Sequence, residues 1–243
     1  LSRRSIPQDK WLEAFGPSLD ITKAAQKLSV VAIDWEKLTD PKTRGDYLHS
    51  AQQPPSSSII APSPDNNIAA ATVQATPVAP PTILDAFKQH HYVAMCLGTT
   101  RKDAGSAEAF RRCDFDYVTA FAQTVRDAAA SDGNQNVLRC FSQVSSQGAD
   151  AKSWFLYMRT KGEADDFVSQ AGLFPRVSIL RPGLLGRGDK ARTVESIISC
   201  FVTPMPVKSV ALALVRDFFS PTPNSSSSHV TILHNGDINR IAA

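Results

Sequence analysis

The sequence predicts an α/β protein: a parallel sheet with helices on both faces. Two observations carry this. Short apolar, β-branched runs alternate with segments of helical periodicity, which is the pattern of strands joined by helical crossovers. The residues able to do chemistry fall just past the ends of those runs, and in an open parallel sheet the carboxyl ends of strands are where ligands bind.

Taken in order, residues 5 to 27 read as a turn and a helical stretch around Trp11, Leu12, Ala14 and Phe15. Leu28 to Ile33 reads as a buried strand ending at Asp34. From 39 to 82 the composition shifts to Pro41, Pro54, Pro55, Pro62, Pro64, Pro77, Pro80 and Pro81 with serines at 56–58. Such a segment buries too little apolar surface to offset its ordering entropy, so an insertion without fixed structure is expected. Tyr92 to Leu97 is the next strand, stopped by Gly98, Thr99 and Thr100. Phe110, Val118, Phe121, Val125 and Ala128 predict a helix over 107–130. Val137 to Val144 is a strand ending at Ser145 and Ser146, and a helix carrying Tyr157 and Lys161 follows, with Gly172 as its stop. Val177 to Leu180 is a strand ending at Arg181, Pro182 and Gly183. A helix over 209–219 and a short strand over 229–233 close the chain.

The 243 residues suit one α/β domain spanning 1–243 that contains the 39–82 insertion. The net charge of +3 is carried by scattered lysines and arginines, which argues against a nucleic-acid partner. Cys96, Cys113, Cys140 and Cys200 form no CxxC pair, and no histidine cluster has metal-ligand spacing, so no metal site is expected. Cys96 and Cys140 lie in apolar runs and read as buried, reduced thiols. No apolar run approaches the roughly 18 residues of a membrane span. The helix over 209–219 is apolar on more than one face, which suits packing on the sheet and leaves peripheral membrane contact as an alternative. The start at Leu1-Ser2-Arg3-Arg4 reads as cut.

Tyr157 and Lys161, four apart, share one helix face. A cation one turn from a phenol stabilises the phenolate, so Tyr157 could serve as general acid or base beside a serine hydroxyl from Ser145 or Ser146. The plain alternatives are a surface Tyr–Lys pair, serines satisfying loose backbone groups, and an ordinary Pro-Gly turn at 182–183.

Leu97-Gly98-Thr99-Thr100-Arg101, Ala104-Gly105-Ser106, Ser145-Ser146-x-Gly148-Ala149-Asp150, Tyr157-x-x-x-Lys161-Gly162-Glu163 and Leu180-Arg181-Pro182-Gly183 occur in that order. This set resembles the Tat-interacting-protein branch of the atypical short-chain dehydrogenases, especially its fungal mitochondrial members. The resemblance is closest over residues 83–190. It implies a Rossmann-like sheet, NADP(H) as cofactor, hydride transfer to or from an unknown carbonyl or alcohol, and a place at the mitochondrial outer membrane, with the cytoplasm as alternative. By resemblance Ser145, Ser146, Tyr157 and Lys161 are catalytic, and Lys161 also holds the nicotinamide ribose. Arg3 and Arg4 would pair with the 2′-phosphate. Asp34 would lie near the adenine, Leu97, Gly98 and Thr99 along the cofactor, and Pro182 and Gly183 at the nicotinamide. The family's first strand and its GxxGxxG turn are missing: Gly16, Gly45 and Gly98 are too far apart to form one. NADP(H) binding by this chain is therefore expected to be impaired. A non-catalytic Rossmann scaffold that binds a protein partner at the mitochondrial surface is the alternative, since the family includes regulators.

Overall fold

A computed structural model of the chain describes residues 6–15, 19–52, 80–131, 138–170, 172–186, 204–220 and 229–243. The chain divides into two compact units, Leu1–Ala86 and Phe87–Ala243.

The first unit is built of short helices: α1 (Trp11–Phe15), α2 (Ile21–Ala25), α3 (Trp35–Thr39) and α4 (Arg44–His49). Trp11, Trp35, Leu38 and Leu48 are its buried apolar anchors. Aspartates start two of these helices: the Asp20 carboxylate accepts from Lys23 N at 3.1 Å, and Asp34 accepts from Glu36 N and Lys37 N. The strand expected over Leu28–Ile33 is not formed; only Ala32 makes an isolated bridge. A β-branched run becomes a strand through its ladder partners, and among the described residues no ladder flanks this one. Within the Pro/Ser-rich 39–82 segment, order reaches further than composition suggests. Arg44–His49 is helical, and Gln52 N donates to Pro81 O at 2.8 Å. Residues 53–79 of that segment lie outside the described residues.

The second unit carries the parallel sheet. Its strands are β1 (Tyr92–Met95), β2 (Cys140–Val144), β3 (Val177–Leu180) and, later in the chain, β6 (Val230–Leu233), in spatial order β1-β2-β3-β6. All three ladders are parallel, with Tyr92 opposite Cys140, Phe141 opposite Val177 and Val177 opposite Val230. Parity then assigns the faces. Phe141 packs against Phe121 of α7 (Tyr117–Ser131) and stacks on Phe174 at 4.4 Å. Tyr92 pairs with the preceding residue, Cys140, so it points the other way, where it stacks on Phe218 of α9 (Val207–Phe218) at 5.0 Å. Helices thus cover both faces, and β3 is buried along its whole length. The α9 side is closed by Val210, Ala213 and Leu214 against Leu180, Leu233 and Ile238.

Three features depart from the sequence reading. The helix expected over 107–130 forms without a gap but carries a π-helical turn, Arg112–Asp116, between α6 (Ala107–Arg111) and α7, and a short helix, α5 (Arg101–Ala104), precedes it. Cys96 is exposed rather than buried; it lies one residue past Met95, where β1 ends. Cys140 and Cys113 are buried, and Cys200 lies outside the described residues. A helix, α10 (Asn235–Ala242), follows β6, where the sequence reading ended with the strand; the Asp237 carboxylate accepts from His234 N at 3.2 Å at its start. The remaining strands, β4 (Leu185–Gly186) and β5 (Met205–Pro206), pair with each other.

Candidate functional site at the carboxyl rim of the sheet

The helix α8 (Leu156–Val168) brings the predicted groups to the rim. Its entry is a tight turn in which Asp150 Oδ1 accepts from Lys152 N at 2.9 Å and Ser153 Oγ accepts from Phe155 N at 3.2 Å. Gly162 lets the helix lie on that turn: a Cβ there would sit 2.1 Å from Ala151 N and 2.3 Å from the Asp150 carbonyl carbon. The buried side of α8 is Thr160, Lys161, Ala164, Asp165 and Val168.

Tyr157 and Lys161 do share one face, and their partners are also four apart. The Tyr157 ring stacks on Phe110 with centroids 5.6 Å apart, and Lys161 Nζ lies 2.7 Å from Asp114 Oδ1. Tyr157 stays 40% exposed, whereas Lys161 is 5% exposed and Asp114 fully buried. Two successive i,i+4 pairs therefore match along two neighbouring helical segments. Directly above lies Gly98, which is exposed; a Cβ on it would come within 3.2 Å of Lys161 Nζ and 3.3 Å of Asp114 Oδ1. The next residue, Thr99, donates its backbone N–H to Asp114 Oδ2 at 2.9 Å. Leu97 is half-buried beside them.

The two serines part company. Ser145 is buried and its hydroxyl donates to Asp165 Oδ2 at 2.9 Å. Asp165 also accepts from Gln143 Nε2 at 2.8 Å and from Arg181 Nε at 2.9 Å. This carboxylate ties α8 to the ends of β2 and β3. Burial pushes it above its ordinary value, while the Ser145 hydroxyl and Arg181 guanidinium draw it back. Ser146 is half-buried, and its hydroxyl makes only a long 3.4 Å contact to Gln147 O. Pro182 is buried and its carbonyl accepts from Gln147 N at 2.8 Å. Gly183 N donates to Asn235 Oδ1 at 2.8 Å, and a Cβ at Gly183 would come within 2.8 Å of Gln147 Oε1.

Asp34 belongs to the first unit, where it caps α3 and its N–H donates to the Tyr47 hydroxyl at 2.7 Å. Arg3 and Arg4 lie outside the described residues. Sequence reasoning missed Asp114 and Asp165. Asp165 carried a signal, being one further turn along the Tyr157–Lys161 face; Asp114 carried none, since its partner is 47 positions away (161 − 114). A separate cavity of about 390 Å³ opens at the opposite rim, between Arg126, Leu138, Leu173 and Pro175, away from these groups. Among the described residues no cluster suits a metal ion, and no helix is long and apolar enough to cross a membrane.

No family model matches the chain. Individual relatives do. Protein HTATIP2 of Rattus norvegicus is 40% identical over 147 residues, 56% of this chain and 57% of that protein. Protein fmp52, mitochondrial, of Emericella nidulans is 40% identical over 106 residues, 43% of this chain and 42% of that protein. Protein FMP52, mitochondrial, of Candida albicans is 42% identical over 89 residues, 37% of this chain and 35% of that protein. The chain thus spans between about a third and somewhat over half of the length of these curated relatives. Over the matched span it is a relative of HTATIP2 and of the fungal mitochondrial FMP52 proteins, as its ordered motifs imply.

Proposed function

We propose that the rim of the second unit is the nicotinamide half of an NADP(H)-dependent oxidoreductase site of the short-chain dehydrogenase type, acting on a carbonyl or alcohol. The observation that carries this reading is the shared face of Tyr157 and Lys161, set beside the exposed Gly98 at the end of β1. The cofactor's nicotinamide ribose fits these residues: Gly98 leaves open the approach that a side chain would fill, and Lys161 lies beneath it. An ammonium has three donors, so Lys161 can keep Asp114 and still offer two to a ribose diol. The pyrophosphate end has no matching GxxGxxG turn in the sequence, so affinity for NADP(H) is expected to be weak.

When bound, NADPH supplies the hydride. In the reducing direction Tyr157 donates its phenolic proton to the substrate oxygen, and the Lys161 ammonium one turn away stabilises the phenolate left behind. Ser146 is the hydroxyl assigned to the substrate oxygen, because the Ser145 proton is already given to Asp165. In the oxidising direction the same groups run in reverse, Tyr157 accepting the proton. With the full chain and a panel of carbonyl compounds, Tyr157→Phe is expected to keep NADPH binding and to lose turnover by about 100-fold or more. Equal turnover in both proteins would remove Tyr157 from the mechanism.

A second reading, a scaffold for a protein partner at mitochondria, is favoured by one specific observation. Trp154 is 96% exposed and Phe155 72% exposed, side by side at the start of α8. Trp154→Ser would then abolish capture of that partner while leaving NADPH binding unchanged.

A further inference from the structure

We propose that Asp114 is the positioning residue of this rim, locking the Lys161 ammonium and the Gly98–Thr99 turn to each other with its two carboxylate oxygens. The inference rests on the reading of Lys161 and Gly98 as groups that meet the cofactor, and it adds to that reading a residue that touches neither substrate nor cofactor.

Four observations converge on it. Asp114 is fully buried: Oδ1 lies 2.7 Å from Lys161 Nζ as an ion pair and has no aligned hydrogen bond, while Oδ2 accepts from Thr99 N at 2.9 Å. A buried lysine has to be fixed by an opposite charge, and with its side chain only 6% exposed Lys161 has little water to replace one. Asp114 sits in the π-helical turn Arg112–Asp116, and single π turns inside α-helices recur where a side chain must be re-aimed at a site. Gly98 lies within contact distance of both ends of the ion pair, so the backbone that would meet a cofactor, the ammonium and the carboxylate form one unit. A second acid, Asp165, also acts on Lys161 from one turn further along α8, but its oxygens are taken by Gln143, Ser145 and Arg181. A carboxylate at 114 presents one acceptor oxygen to the ammonium and the other to the amide. An asparagine there would turn an NH2 donor toward one of those two donors and would carry no charge for the ammonium.

The test uses the full chain, with Asp114→Ala, Asp114→Asn and Asp114→Glu. Two readouts need no cofactor: amide exchange at Thr99 by NMR, and acylation of Lys161 by a succinimidyl ester, read by peptide mass spectrometry. Asp114→Ala is expected to raise both by about tenfold or more, with core amides such as Val125 unchanged. Asp114→Asn should raise at least one, and Asp114→Glu, which keeps charge and both oxygens, should bring both back toward wild type. Unchanged Thr99 exchange and Lys161 acylation in Asp114→Ala would overturn the proposal, as would equal acceleration at Val125, the mark of general loosening. Should Asp114→Ala fail to fold, Asp114→Ala with Lys161→Met removes both buried charges; it should still free the Thr99 amide, and a protected amide there would overturn the proposal. A third readout, NADPH titration, separates the two ideas. A wild type that does not bind NADPH removes the cofactor reading, and the first two readouts still decide Asp114. A wild type that binds NADPH no better than Asp114→Asn overturns the role of Asp114.

Discussion

Two buried carboxylates on either side of Lys161 make contrasting neighbourhoods. Asp165 is an interior knot: it receives three side-chain donors from β2 and the end of β3, and it seals α8 to the sheet. Asp114 is a rim clasp: it receives one ammonium and one backbone amide, and an exposed glycine lies over it. The knot uses the Ser145 hydroxyl as a donor inside the fold. The clasp holds Lys161 beneath the exposed Gly98. One buried helix face thus meets both carboxylates, and what separates them is which partners sit opposite.

The contrast can be broken from the clasp side first. Lys161→Met, or Asp114→Asn, leaves one charge buried alone and should cost about 3–5 kcal/mol in chemical denaturation, whereas the double change should cost far less than the sum. Additive losses would mean that the pair is not coupled. Next in size, Gly162→Ala forces a methyl into the Asp150–Ala151 backbone and should cost about 1–3 kcal/mol.

The knot should answer to pH. Burial raises the Asp165 carboxyl above its ordinary value of 3.8, so the folded chain keeps that proton to higher pH than the unfolded chain. The stability linked to Asp165 is therefore full below the ordinary value and is lost as pH rises through the raised one. Asp165→Asn should flatten that part of the stability–pH curve relative to wild type; an unaltered slope would mean the carboxyl is not held up by burial. The smallest effect is expected of Ser145→Ala, about 1 kcal/mol, the net worth of one hydrogen bond.

The sheet was legible because its strands are short apolar runs with stops: Tyr92 to Met95, Cys140 to Val144 and Val177 to Leu180 all formed where periodicity places them. Leu28 to Ile33 carries the same signal and did not form a strand, because a run of β-branched residues reports local preference and not the presence of a ladder partner. The final helix was not read: it is only eight residues long and starts at Asn235-Gly236 after His234, with none of the usual Ser, Thr, Asp or Asn caps before it. At the site, the Tyr157–Lys161 face was readable from spacing alone. Its governing partner was not: Asp114 is distant in sequence and is turned by a π segment that no apolar periodicity announces.

The central claim is that the Gly98–Thr99 turn and the Tyr157–Lys161 face form one nicotinamide-binding rim. Amide exchange of the full chain with and without millimolar NADPH tests it most directly. Slowed exchange confined to Leu97–Thr100, Ser145–Gln147 and the first turns of α8 is the predicted result; slowing instead around Arg126, Leu138 and Leu173, or none at all, would contradict it.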